Sequence, residues 1–334
     1  MGFHGLKEKP YVVGTCNDLV LCCQTRHDQD QLDFYICNPC TRQWIALPPT
    51  TRRCTNVPVG FICDRYYEEN STSGTNSTVN IKKDYRCKVV RILPHDLSED
   101  NYFTHFSKFI VEVFSFETGE WRESIVSSPR SIRFEPATSV AYNGMLYWTY
   151  WQYESVGQIG LIGLDPFVIG NSSASPNGDE TVDDDHYQFR LFDAVYCGFG
   201  FDMPWICMRR GRLQMWGYNY RDADLTVWEL TCDDDLGSAD EFYLKNVSVF
   251  PVTTCEVSES NVVVLALDPN DEDIFYVEVY DGSFLNYFMY NICTRKWSKV
   301  AITKHVEDDH LFRLVLPWWP TPLRKLPVVE ELPI

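Results

Sequence analysis

The chain has 334 residues and a formal net charge of −18, so its surface repels phosphate backbones. Its best basic pairs, Lys82-Lys83 and Arg209-Arg210, are too short to form a stripe and read as solvated turns, so no nucleic-acid partner is expected. No run of about 18 apolar residues occurs. The N-terminal MGFHGLKEKP has no apolar signal core, and Leu6 stands where a myristoylation signal needs Ser or Thr, so the expected location is cytoplasmic or nuclear with no membrane contact.

Along the chain, helical periodicity is almost absent. Short strand-like runs bounded by Gly, Asn, Asp and Pro follow one another, and an aromatic content of 15% suits pleated surfaces. The first is GTCNDLVLCC (14–23), a turn leading into a buried strand. Then come FYICNPCTRQWIAL (34–47), KVVRIL (88–93) and KFIVEVFSF (108–116). SVAYNGMLYWTYW carries an Asn143-Gly144 hairpin signal, and RRGRLQMWGY turns at Gly211. LTVWELTCDDD (225–235) and NVVVLAL (261–267) precede a turn over 268–273 and the final YFMYNICTRKWSKV (287–300). The polar stretches 66–80 and 171–185 read as flexible insertions, and the tail after Pro320 as loose.

Four of these segments are copies of one unit, a strand followed by a tight polar turn. Asn38, Cys40, Thr41, Arg42 and Trp44 align without a gap on Asn291, Cys293, Thr294, Arg295 and Trp297. A third copy has Gly119 and Trp121, and the fourth has Trp228. Asn or Glu starts the turn, Gly119 is suited to positive φ, and in the copies with Trp44, Trp121 and Trp297 the Trp opens the next antiparallel strand with its ring between neighbouring sheets. A lone hairpin is marginal in water, whereas sheets stacked around an axis bury one another's faces. The expected fold is therefore all-β, a β-propeller of antiparallel sheets.

The ordered set GTCNDLVLC, YICNPCTRQWIALPP, NGMLYW, GLDP, RRGRLQMW, LTVWEL, ALDPNDEDIFY, NICTRKW and LPWWPTPL resembles the F-box-associated propeller domain of plant F-box proteins over residues 10–322. The resemblance implies a kelch-like propeller, with six blades the expectation, and a tail over 323–334. It also implies a non-catalytic role in binding target proteins for an SCF-type ubiquitin ligase. Such proteins usually begin with an F-box that docks a Skp-type adaptor and cullin. Here residues 1–9 lead into the propeller by about Tyr11, so the F-box is expected to be missing, and adaptor and cullin are expected partners only if an F-box is supplied or replaced. The target protein is not identified by the sequence. Two departures stand out: Asn17-Asp18 replaces the usual Asn-Gly turn, and the Trp expected after VWEL is absent, with Phe242 or Tyr243 the candidate stand-ins.

No catalytic residue, metal ligand or cofactor is assigned. Cys37-Asn38-Pro39-Cys40 has CxxC spacing, but no second pair accompanies it and its copy keeps only Cys293, so it reads as structural. The 13 cysteines read mostly as buried small hydrophobes. The cluster His305, Glu307, Asp308, Asp309 and His310 lacks a helical ligand pattern, and the acids of 268–273 and 233–235 read as turns. Nucleophile elbows and phosphate loops are absent from the sequence. The alternative is a propeller enzyme or carbohydrate binder with a central-pocket site. Loops near Tyr66 and Tyr67, Tyr150 to Tyr153 and Tyr218 to Arg221 are the candidate exposed contacts, although ordinary blade packing or loop is the simpler account of each.

Overall fold

The computed structural model describes residues 10–25, 33–66, 84–95, 106–134, 139–152, 158–169, 189–196, 204–219, 221, 224–232, 242–251, 262–268, 271–280 and 285–303. Every strand pairing among them is antiparallel, and the one helix, α1 (Pro166–Ile169), is a single turn. The strands form five successive four-stranded meanders. The first is β1 (Tyr11–Cys16), β2 (Leu19–Cys23), β3 (Phe34–Asn38) and β4 (Gln43–Ala46); the second is β5 (Val59–Tyr66), β6 (Asp84–Pro94), β7 (Phe106–Ser115) and β8 (Glu120–Phe134). The third is β9 (Val140–Tyr142), β10 (Met145–Gln152), β11 (Gln158–Leu164) and β12 (Phe189–Tyr196). The fourth is β13 (Trp205–Arg209), β14 (Arg212–Asn219), β15 (Asp224–Cys232) and β16 (Phe242–Pro251); the fifth is β17 (Val262–Leu267), β18 (Ile274–Tyr280), β19 (Leu285–Asn291) and β20 (Lys296–Thr303). The far end of β8 also pairs with the end of β10, which joins the second and third meanders into one sheet.

The first strands lie beside one another in chain order: β1 against β5, β5 against β9, β9 against β13 and β13 against β17. Period-two alternation then sends one face of each meander to its neighbour. Leu19, Leu21, Phe34 and Ile36 pack with Phe61, Val89 and Phe114 between the first and second meanders. Ile62, Val90 and Val111 meet Trp148, Tyr150 and Ile162 between the second and third. Ile159 and Leu161 meet Leu213, Met215 and Trp228 between the third and fourth, and Trp216 and Val227 meet Phe275, Val277 and Tyr290 between the fourth and fifth. Each fully buried side chain of this size contributes about 1.5–3 kcal/mol of transfer free energy. One close approach requires glycine: a Cβ on Gly60 of β5 would lie 2.5 Å from the Trp148 ring.

Five meanders are thus seen among the described residues, where the sequence reading expected six blades. The body of the 66–80 insertion, the 171–185 insertion, the acids of 233–235, the His305 to His310 cluster and the C-terminal tail lie outside the described residues. Two cysteines depart from the expectation of free buried thiols. Cys63 and Cys87 oppose each other in register across β5 and β6, where Cβ atoms approach closely, and they are joined by a disulfide.

Candidate functional site

In an up-and-down meander the turn between the first and second strands and the turn between the third and fourth emerge at the same end. The hairpins at 17–18, 143–144, 210–211 and 268–273 therefore share a rim with those at 39–42, 116–119 and 292–295. Side chains link this rim between meanders. Arg209 forms an ion pair with Asp273, and its Nε donates to the Glu272 carbonyl at 2.9 Å. The Arg210 backbone N–H donates to Glu272 Oε2 at 2.7 Å.

The repeat residues build the hairpins between third and fourth strands. Gly119 (φ 75°), Arg42 (φ 57°) and Arg295 (φ 55°) occupy one equivalent left-handed position. The backbone N–H of Gly119 donates to the Ser115 carbonyl, and that of Arg295 to the Asn291 carbonyl, both at 2.8 Å. Asn38 Oδ1 accepts from the N–H groups of Cys40 (2.9 Å) and Thr41 (3.1 Å), and Asn291 Oδ1 accepts from Thr294 N–H at 2.8 Å. This is the Asx-turn chemistry for which Asn is selected. Thr41, Arg42, Thr294 and Arg295 are consequently exposed on the rim, while Asn38 is buried.

The tryptophans serve packing. Trp121 lies 6.1 Å from the Phe34 ring and 5.3 Å from Phe114, and its Nε1 donates to the Pro48 carbonyl at 2.8 Å. Trp297 lies 4.6 Å from Tyr290. Trp44 is in register with Cys37 on the other face of the first meander from Leu21 and Ile36, and it is 38% exposed. Trp228, as its place within LTVWEL implies, lies inside the third strand of its meander. It sits in β15 opposite Asn246, in the place that Phe114 and Tyr290 take opposite Trp121 and Trp297. Tyr243 is not the expected stand-in: a register shift after Val227 leaves it 40% exposed, and Leu244 packs against the Trp228 cluster instead.

The Asn17-Asp18 departure has a structural account. Only Asn17 takes positive φ (55°), and Asp18 is fully buried, accepting from Asn38 Nδ2 at 2.7 Å. Of the aromatic candidates for exposure, Tyr150 and Tyr218 are core residues, because their strand positions face neighbouring meanders. Tyr67, Tyr153 and Tyr220 lie outside the described residues, and Arg221 is exposed.

The CxxC pair is split, Cys37 buried and Cys40 exposed. Cys37 Sγ lies 3.8 Å from Cys22 Sγ, and that contact lowers the Cys37 thiol while raising Cys22. Among the described residues no group of three or more His, Cys, Asp or Glu side chains is arranged to hold a metal ion. In the 268–273 turn, Asp268 Oδ1 accepts from Asp271 N–H and Asp271 Oδ1 from Asp273 N–H, as a solvated turn requires.

At the opposite end of the first two meanders lies a polar latch that the sequence does not announce. Arg91 and Glu112, both fully buried and paired in register, form an ion pair. Thr51 Oγ1 donates to Glu112 at 2.8 Å, Arg91 Nη2 donates to the Arg52 carbonyl at 3.2 Å, and Arg52 forms a two-point pair with Glu123. The hydrogen bond from Arg52 holds the Glu123 carboxyl below the usual carboxylate range. This latch fixes the connection between the meanders.

Among the described residues no helix is long and apolar enough to cross a membrane. No curated protein sequence matches significantly. Solved structures that match include a neuraminidase-like protein from A/bat/Guatemala/164/2009 (9% identity, TM-score 0.41, covering 88% of this chain and 73% of that one). A sialidase from Trypanosoma rangeli matches at 11% identity and TM-score 0.39 over 88% of this chain and 48% of its own. Oligopeptidase B from Leishmania major matches at 9% and 0.37 over 89% and 34%. The family model described as F-box protein At3g26010-like, beta-propeller, matches residues 3–175, half of the chain. With its antiparallel meanders ordered first strand to first strand, the chain belongs to the F-box protein At3g26010-like β-propeller family.

Proposed function

We propose that this protein is a non-catalytic interaction module whose rim of hairpins grips a target protein, and that it serves as the substrate-recognition part of an SCF-type ubiquitin ligase in the cytoplasm or nucleus. Family membership is the observation that carries the reading. The five meanders are taken as successive blades of a kelch-like propeller, a rigid scaffold whose loops are free to vary. Exposed Thr41, Arg42, Thr294 and Arg295 on fixed turns are suited to polar contacts with a protein surface. In this reading transfer chemistry belongs to other subunits, and the Skp-type adaptor and cullin engage through an F-box or a surface that replaces it.

The test is co-purification of the chain with a Skp-type adaptor and cullin, with and without an F-box grafted upstream, followed by crosslinking capture of targets. Association, direct or restored by the graft, together with a target lost on disruption of the rim, supports the reading. A grafted chain that joins the ligase yet neither captures nor promotes ubiquitination of any protein overturns it.

A further inference from the structure

Three cysteines lie where the first two meanders touch. Cys63 of β5 is bonded to Cys87 of β6. Cys16, the last residue of β1, is a partly exposed thiol whose Sγ accepts from the Cys63 backbone N–H at 3.2 Å and donates to the Cys63 carbonyl oxygen at 3.6 Å. Asn17 Nδ2 also points at that sulfur, at 3.7 Å. These contacts hold the Cys16 sulfur against the Cys63 backbone.

We propose that Cys16 is the exchanging thiol of a three-cysteine site that moves the disulfide from within the second meander to between the first and second meanders. In the step, Cys16 thiolate attacks Cys63 Sγ and forms the Cys16–Cys63 bond. The Cys63–Cys87 bond breaks, and Cys87 leaves as thiolate, taking up the proton that Cys16 gave up. The exchange is redox-neutral and needs no external oxidant.

The two bonds differ in what they hold. Strands β5 and β6 are already joined by a hydrogen-bonded ladder, so the Cys63–Cys87 bond adds a tie within one sheet. Strands β1 and β5 belong to different sheets and are held by side-chain packing. A Cys16–Cys63 bond would lock these two first strands together at the hairpin rim. The site is independent of the partner reading above, since it is built only from contacts within the chain.

The experiment uses the full chain, purified without reductant, quenched in acid, alkylated with N-ethylmaleimide and mapped by peptide mass spectrometry. Wild type is expected to give the Cys63–Cys87 peptide and, after equilibration in a glutathione redox buffer, a Cys16–Cys63 peptide as well. In Cys87→Ser, oxidised glutathione first caps Cys63 and releases one glutathione. Cys16 then displaces the second, so the Cys16–Cys63 peptide should exceed the mixed disulfide by about tenfold in the folded protein and lose that excess in urea. Cys16→Ser should retain Cys63–Cys87 and form no other internal bond to Cys63. The proposal is overturned if wild type yields Cys63 and Cys87 as free thiols or gives no Cys16–Cys63 peptide in the redox buffer. It also falls if Cys87→Ser gives the same yield of that peptide folded and in urea. The wild-type mapping decides the matter even if a variant fails to fold.

Discussion

Asn38 Nδ2 donates to Asp18 Oδ2 at 2.7 Å with both residues fully buried, which ties the hairpin after β3 to the turn after β1. The same side chain's oxygen holds its own turn through Cys40 and Thr41. Asn38→Ala therefore removes a charge-assisted bond as well as the turn's Asx contacts, and should lower stability by about 2–3 kcal/mol. Asn291→Ala, at a half-buried position whose oxygen accepts from Thr294, should cost about 1 kcal/mol. Urea midpoints of the two variants check this, and equal losses would remove Asp18 from the account.

Gly119, Arg42 and Arg295 share a left-handed backbone but differ in their Cβ. Gly119→Ala should destabilise by about 1 kcal/mol, since L-residues resist that region. Arg42→Gly and Arg295→Gly should fall within about 1 kcal/mol of wild type, because relief of strain offsets the greater freedom of glycine in the unfolded chain. Thermal unfolding of the three variants reads the contrast.

The buried Arg91–Glu112 pair predicts strong non-additivity. Arg91→Met or Glu112→Leu alone strands a buried charge and should cost about 3–5 kcal/mol. The double replacement removes both charges and should cost less than the sum by more than about 1 kcal/mol in a double-mutant cycle. Additive losses would mean that the two groups act separately.

Acid should weaken the fold through carboxylates held below their ordinary range. At Glu123 the hydrogen bond from Arg52 dominates. At Glu229 burial opposes the charge, but bonds from Gln214 and Arg212 outweigh it. A folded-state pKa below the unfolded value gives stability that is complete above about pH 4.3 and is lost as pH falls through the lowered folded value. The urea midpoint should thus hold from neutrality to mild acid and fall below about pH 4, less steeply in Glu123→Gln. Glu123 is a third exposed, so solvent screening keeps its share modest. An unchanged acid limb in that variant would assign the loss to other groups.

The hairpins, strands and propeller-type packing were legible in the sequence because they depend on local chemistry. Asn at a turn start, a left-handed position after it, and apolar residues at period two leave the backbone few choices, and repetition of Asn38 to Trp44 at Asn291 to Trp297 exposed the unit. Register was less legible. The shift after Val227 placed Leu244, rather than Tyr243, against the core, and a one-residue slip of that kind reverses which side chains face inward. At Tyr150 and Tyr218 the sequence offered exposure beside blade packing, the simpler account, and the folded chain buries both. Contacts between residues distant in sequence could be set only by the folded chain. The tie from Asp18 to Asn38, the Arg91–Glu112 latch, the Arg209–Asp273 pair, the Cys63–Cys87 disulfide and the contact of Cys16 with the Cys63 backbone each join groups that meet only when the strands are in place. The sequence by itself determined the repeating hairpin and its buried face, since both arise within a few residues. The tertiary structure decided which buried polar groups and thiols became partners, because that depends on how one meander stacks on the next.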